Sequence, residues 1–306
     1  MPRLGPNTAG AMLSLAAFAV FASHDALIKA LSARYSVIQI VFCIALFGCP
    51  LLLAMLARDP APETLRPRHP RLMLLRAATV AGSFLFGFYA FSVLPMAQVY
   101  AILFATPLLV TLFAVPVLGE PVGPRRILAV IAGFAGVLIV LRPGAEPIAP
   151  GHVAALAAAV CGAVTSVVAR KVGGTERPAV LMLYGMAGNF VLMGLAIPFV
   201  YVPMPGPDMA VMIAIALLGF LAMRLIIAAY RLAEAAIVAP MQYSQILWAV
   251  FFGAMFFDEW PDAATFGGAA VVIGSGLYIV LRETRVAAVA PVTRGTPRPE
   301  AAPPEG

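Results

Sequence analysis

Residues 91–120 read FSVLPMAQVYAILFATPLLVTLFAVPVLGE, and residues 230–259 read YRLAEAAIVAPMQYSQILWAVFFGAMFFDE. At an offset of 139 the two stretches share an order of features. Phe91 meets Tyr230, Ala97 meets Ala236, Phe104 meets Tyr243 and Thr106 meets Gln245. Glu120 meets Glu259 where each apolar run ends. A short apolar run follows in both, ILAVIAGFAGVLIVLR and FGGAAVVIGSGLYIVLR. With one residue inserted, Gly136 meets Gly276 and Arg142 meets Arg282. The chain reads as one unit written twice.

Composition says what kind of unit it is. Of 306 residues 62% are hydrophobic and only 11% charged, with mean hydropathy +0.97. A soluble globular chain carries roughly 25% charged residues. Too little polar surface remains to coat a soluble particle, so the bulk of the chain is expected in a membrane. Ten apolar spans are expected, at about 9–31, 37–57, 72–92, 96–118, 127–141, 151–169, 179–201, 209–230, 235–257 and 263–281. Backbone groups at that depth must pair internally, and the alternating pattern of a β-barrel is absent, so the spans are read as helices. The first run is read as a span and not as a removed signal peptide.

Lysine and arginine set the orientation. With ten spans, fifteen fall on the side that holds both termini, two (Arg34 and Arg142) on the other, and three within spans. By the positive-inside rule both termini are cytoplasmic. Five spans per unit is odd, so the second unit runs inverted relative to the first. The expected fold is thus an all-α polytopic membrane protein, ten transmembrane helices as two inverted five-helix repeats. Residues 1–8 form a cytoplasmic N-terminus, 9–144 the first repeat and 151–282 the second. Residues 283–306, rich in proline, arginine and glutamate, are expected to be a disordered cytoplasmic tail.

Inverted repeats build alternating-access carriers, with the site near mid-membrane between the halves. The LGE and DEW ends of the two proline-containing spans, each followed by a glycine-rich short span, resemble the EamA domain of the drug/metabolite transporter superfamily. AYRLAEAAIVAPMQYSQILWAVFFGAMFFDEWPD is especially similar to its second repeat, and the resemblance covers about residues 10–282. It implies ten spans, a central cavity and movement of a small metabolite. Members are associated with amino acids, sugars, nucleosides, S-adenosylmethionine, riboflavin and drugs.

Ionised side chains cost on the order of 2.5–3.5 kcal/mol at mid-membrane on insertion scales, so those present call for a role. Asp25, in FASHDALIKA (21–30), lies past the middle of the first span. Lys29 stands four residues on, and an i,i+4 pair is within reach. Asp25 is therefore either neutralised by Lys29 or a cavity carboxylate for a cation or a proton. Aligning Lys29 with Lys171 sets Asp25 against Val167, so the acid belongs to one half only. His24 points about 100° away from Asp25. Arg224, read near the middle of the eighth span, needs a carboxylate, carbonyls or an anionic substrate. Arg76 can snorkel to the cytoplasm.

Spans four and nine are the expected cavity wall. They carry Tyr100, Thr106 and Pro107 in one, and Pro240, Tyr243, Gln245 and Trp248 in the other, with Gln245 and Trp248 on one face. The prolines free local carbonyls. Tyr184 and Asn189 are weaker candidates. Small residues at four-residue spacing, Ala129 and Gly133 or Ala132 and Gly136, are read as scaffold.

The expected substrate-binding set is Asp25, His24, Tyr100, Thr106, Arg224, Tyr243, Gln245 and Trp248. The expected function is secondary transport of a small polar metabolite, amino-acid-like or another zwitterion, across the bacterial inner membrane, with an ion gradient such as protons, or exchange, as the energy source. A riboflavin-type vitamin or a nucleoside is the alternative cargo. No GxxxxGK[ST] or HExxH occurs and the three histidines are scattered, which disfavours an ATP-driven pump and a polytopic membrane enzyme. No cofactor and no metal are expected. Cys43, Cys49 and Cys161 lie in apolar runs and form no disulfide framework. The implied partners are a small-molecule substrate and the lipid bilayer, not nucleic acid; a homodimer is left open.

Overall fold

The computed structural model describes residues 5–57, 65–119, 123–144 and 147–289. They are helical almost throughout. Helices α1 (Pro6–Ser32), α2 (Val37–Ala57) and α3 (Pro70–Val93) are followed by a broken pair, α4 (Met96–Leu103) and α5 (Thr106–Leu118). Next come α6 (Pro124–Leu141), α7 (Pro150–Val172), α8 (Pro178–Ala196) and α9 (Gly206–Leu232). A second broken segment holds α10 (Ala235–Val238), a 3₁₀ turn (Ala239–Ser244) and α11 (Gln245–Phe257), and α12 (Ala263–Val289) completes the set.

Among the described residues, eight segments are long and apolar enough to cross a membrane, counting α4 and α5 as one. They coincide with the first eight expected spans. The stretch 235–257 is not one helix, and the apolar part of α12 is shorter, Ala263–Ile279. Helix α12 also continues to Val289, past the boundary read at 282. ETRVAAV contains no proline or glycine to stop it. The rest of the expected tail, 290–306, lies outside the described residues.

Proline explains where many helices begin. It stands in the first turn of α1, α3, α5, α6, α7, α8 and α9, where its missing N–H costs nothing. Proline also explains the break before α5. Pro107 cannot donate to the carbonyl of Leu103, and the Thr106 hydroxyl donates to it instead, at 2.7 Å. The matched break surrounds Pro240. The two helices that follow, α5 and α11, are both 13 residues long and start at Thr106 and Gln245, the pair aligned by the repeat. Phe104 and Tyr243, also aligned, meet edge to face at 5.0 Å between ring centres. Such a contact contributes about 0.5–1.5 kcal/mol beyond burial.

Packing follows the same duplication. Helix α3 lies on α7 and α8 as α9 lies on α1 and α2, and α6 lies against α12. The α6–α12 contact depends on glycine. A Cβ on Gly136 would stand 2.8 Å from the carbonyl oxygen of Gly268 and 3.0 Å from the Val272 nitrogen. Gly136→Val is therefore expected to destabilise by about 1–3 kcal/mol, as overpacking does. Gly274→Ala, where nothing lies within 4 Å, should not. Melting of the two variants in detergent checks this; equal midpoints would mean that α6 and α12 do not close on each other there.

Candidate functional site

A cavity of about 590 Å³ lies between the two broken segments. Helix α1 supplies Phe21, His24 and Asp25, and α3 supplies Ser83, Phe84, Phe88 and Phe91. Tyr100 comes from α4, Thr106 and Thr111 from α5, and Gln242 and Gln245 from the second break. At the other end stand Arg126 at the start of α6 and Arg170 near the end of α7. The volume is within the range of small-molecule sites, roughly 300–1,000 Å³.

Among the described residues Asp25 is the one acidic residue lining it. It is 9% exposed, and both of its oxygens are engaged. His24 Nδ1 lies 2.8 Å from Oδ1, and the Tyr100 hydroxyl donates to Oδ2 at 2.5 Å. The Gln245 side chain faces the same cavity from the other half. The His24–Asp25–Tyr100 bonds thus join α1 to α4, and Gln245 at the start of α11 lines the cavity with them. His24 and Asp25 are neighbours in sequence, and the 100° between them is bridged by the reach of the imidazole.

Lys29 does not neutralise Asp25. Its ammonium donates to the carbonyls of Phe91 (3.0 Å) and Leu94 (2.6 Å) and pairs with Glu259 Oε1 at 2.7 Å. It also lies 5.4 Å from the centre of the Phe257 ring. Glu259 Oε2 accepts the backbone N–H of Met96 at 3.0 Å. The end of α3 offers carbonyls that no further turn satisfies, and the start of α4 offers N–H groups. Lys29 and Glu259 answer both, and they cap the cavity beyond Asp25. Lys171, the lysine aligned with Lys29, donates to Val117 O at 3.3 Å at the opposite end. Glu120 lies outside the described residues.

The other expected site residues divide. Thr106 and Gln245 line the cavity, although the Thr106 proton is committed to Leu103. Tyr243 does not line it; it is buried behind the wall, with its hydroxyl directed at Gly276. Trp248 is also absent from the lining. Its ring lies against Phe251 and Phe252, 6.4 and 6.3 Å away, because a residue three positions on is rotated by 60° from Gln245. Arg224 is exposed on the outside of α9. That helix has 27 residues and ends at Leu232, so Arg224 is about 12 Å from its end and not at its middle. Arg76 donates to the carbonyl of Leu181 on α8. Asn189 and Tyr184 sit on α8, away from the cavity.

Phe84, Phe88 and Phe91 line the cavity although none is in the expected binding set. Their i, i+4, i+7 spacing was visible, but an apolar stripe inside an apolar span has no contrast. Outside the spans, Tyr35 donates to Asp208 Oδ2 at 2.6 Å, and that bond raises the tyrosine's pKa.

Comparison with known proteins now bears on this geometry. The S-adenosylmethionine uptake transporter of Rickettsia bellii is 24% identical over 263 residues, covering 86% of this chain and 90% of that one. The riboflavin transporter of Brucella anthropi is 29% identical over 244 residues, covering 76% and 84%. The pseudopaline exporter of Pseudomonas aeruginosa is 27% identical over 270 residues, covering 86% and 93%. One solved crystal structure superposes with a TM-score of 0.62 at 19% identity, covering 91% of this chain and 98% of its own, which speaks to the fold. The sequence profile of the EamA-like transporter family matches residues 8–142 and again 149–282. With nearly the whole chain matched in two copies, this protein belongs to the EamA-like transporter family.

Proposed function

We propose that this protein is a secondary carrier that moves a small, polar, charge-bearing metabolite by alternating access. In this reading the chain spans the bacterial inner membrane ten times, as two inverted five-span repeats (9–144 and 151–282), with both termini cytoplasmic. The broken segments around Pro107 and Pro240 serve as the ninth-and-fourth-span pair that faces the substrate. The observation that carries the reading is the cavity itself. It is lined from both halves, holds a buried carboxylate at one end and arginines at the other, and is capped at the carboxylate end by a salt bridge between the halves.

The arrangement suits a cargo with a positive group at Asp25 and a negative or polar group toward Arg126 and Arg170. The Rickettsia relative, named for a metabolite with both kinds of charge, supports that choice. A flat neutral cargo of the riboflavin kind is the second reading, supported by the aromatic wall from α3 and by the Brucella relative.

Full-length protein in proteoliposomes, given labelled S-adenosylmethionine, riboflavin and amino acids, tests both. Saturable uptake of a zwitterion is expected, and uptake of riboflavin alone would favour the second reading. Movement of none of them, with or without a proton gradient, would overturn the carrier reading.

A further inference from the structure

We propose that the Asp25 end of the cavity is a site for an organic onium cation without N–H donors, a methylated sulfonium or a quaternary ammonium. The proposal rests on the carrier reading for the cavity's role, and adds which chemical group enters first and deepest.

The charge argument comes from where Lys29 goes. A buried carboxylate is costly unless a positive charge accompanies it. The lysine one turn away is committed to Glu259 and two carbonyls. Among the described residues Asp25 has contacts with His24 and Tyr100 and with no lysine or arginine. The arginines of the cavity stand at its far end. Thr111, which Arg126 contacts at 3.2 Å, lies eleven residues beyond Tyr100, about 16 Å along the α4–α5 axis. The deep end therefore lacks a fixed counter-charge: the cationic group beside Asp25 is the His24 imidazole at 2.8 Å, whose charge comes and goes with its proton.

The shape of the surroundings selects the kind of cation. Phe88 lies 5.9 Å from the His24 ring and 5.5 Å from Phe84. On the other side Tyr100 lies 5.1 Å from Phe91 and 6.1 Å from Phe104. Two ring clusters, from α3 and from the α4 break, thus flank one carboxylate. A primary ammonium carries three N–H donors and needs three acceptors. Asp25 already accepts one hydrogen bond on each oxygen, and rings accept poorly. A methylated onium has no such donors. It requires only negative potential and apolar surface, which aromatic faces beside a carboxylate provide. Gln242 and Gln245 line the cavity from the second break and suit the remainder of the molecule.

The test uses full-length protein in detergent and two matched probe pairs, read by calorimetry. S-adenosylmethionine and S-adenosylhomocysteine differ by one methyl group and the sulfonium charge; glycine betaine and glycine differ by methylation of the ammonium. Binding of S-adenosylmethionine at least tenfold tighter than its demethylated partner is expected, with betaine preferred to glycine. Asp25→Asn should erase both preferences. Phe88→Leu should narrow them severalfold while the ligand-free protein melts within a few degrees of the parent. Equal affinity within the pairs, an onium preference that survives Asp25→Asn, or no binding of either onium overturns the proposal. None of these outcomes touches the carrier reading, which fails only if the solute panel yields no flux.

Discussion

Asp25→Asn is expected to lower transport of a cation-bearing cargo by about 100-fold while the protein still folds. The substitution keeps the shape and removes the charge. An asparagine oxygen can still accept from His24 Nδ1 and its amide can donate to the Tyr100 oxygen, which leaves the rotatable Tyr100 hydroxyl proton as the one group that must turn to another acceptor in the cavity. What is lost is the attraction between a desolvated carboxylate and the cargo. Removing one partner of a buried charge pair costs about 2–5 kcal/mol, and each 1.4 kcal/mol is tenfold. Initial uptake rates in proteoliposomes, set beside the melting midpoint in detergent, separate the two effects. Undiminished uptake would remove Asp25 from the binding machinery. Lost uptake with a collapsed midpoint would instead make Asp25 a structural residue. His24→Gln is a gentler companion: a neutral donor remains beside Oδ1, so a loss of only a few-fold is expected.

Much of the fold was legible because membrane helices mark sequence strongly. A run of apolar residues of the required length has few other uses, and the first eight expected spans are single segments or one proline break. The repeat was legible for a different reason. Its alignment of Phe104 with Tyr243 and of Thr106 with Gln245 tracks proline-centred breaks, and prolines act on the backbone irrespective of what packs around it.

Facing was harder to read. Asp25, His24, Tyr100, Thr106 and Gln245 line the cavity, whereas Tyr243, Trp248 and Arg224 do not. Each of those three depends on helix rotation, on a 3₁₀ turn or on where a 27-residue helix ends, and none of these is set by residue type. The i,i+4 spacing of Asp25 and Lys29 shows what is within reach along one helix. Glu259 lies far away in the chain, and a tertiary partner with two extra carbonyls displaces the local one.

That partner leads to the second large effect. Lys29→Met is expected to destabilise the protein by about 3–5 kcal/mol, the usual result of stripping one member from a buried pair. The lysine is 10% exposed and Glu259 19% exposed at the side chain, so water can compensate little. Methionine fills the volume but leaves Glu259 charged beside the Phe91 and Leu94 carbonyls, with only the Met96 N–H for company. Glu259→Gln should cost less, because the glutamine oxygen still accepts from one of the two donors, the ammonium or Met96, and no uncompensated carboxylate is left. The double variant Lys29→Met with Glu259→Met should recover part of the loss, since replacing a whole buried pair by apolar groups is often tolerated. Melting midpoints of the three variants in detergent decide the matter, and a Lys29→Met protein as stable as the parent would show that the bridge holds nothing. The bridge also joins α1 and the α3–α4 turn to the loop after α11, one repeat to the other, at the capped end of the cavity. Under alternating access that end must part in every cycle. Glu259→Gln should then expose a cysteine placed at Leu94 to a membrane-impermeant thiol reagent added from outside, in a background without Cys43, Cys49 and Cys161. Labelling no faster than in the intact pair would mean that the bridge braces the fold without gating it.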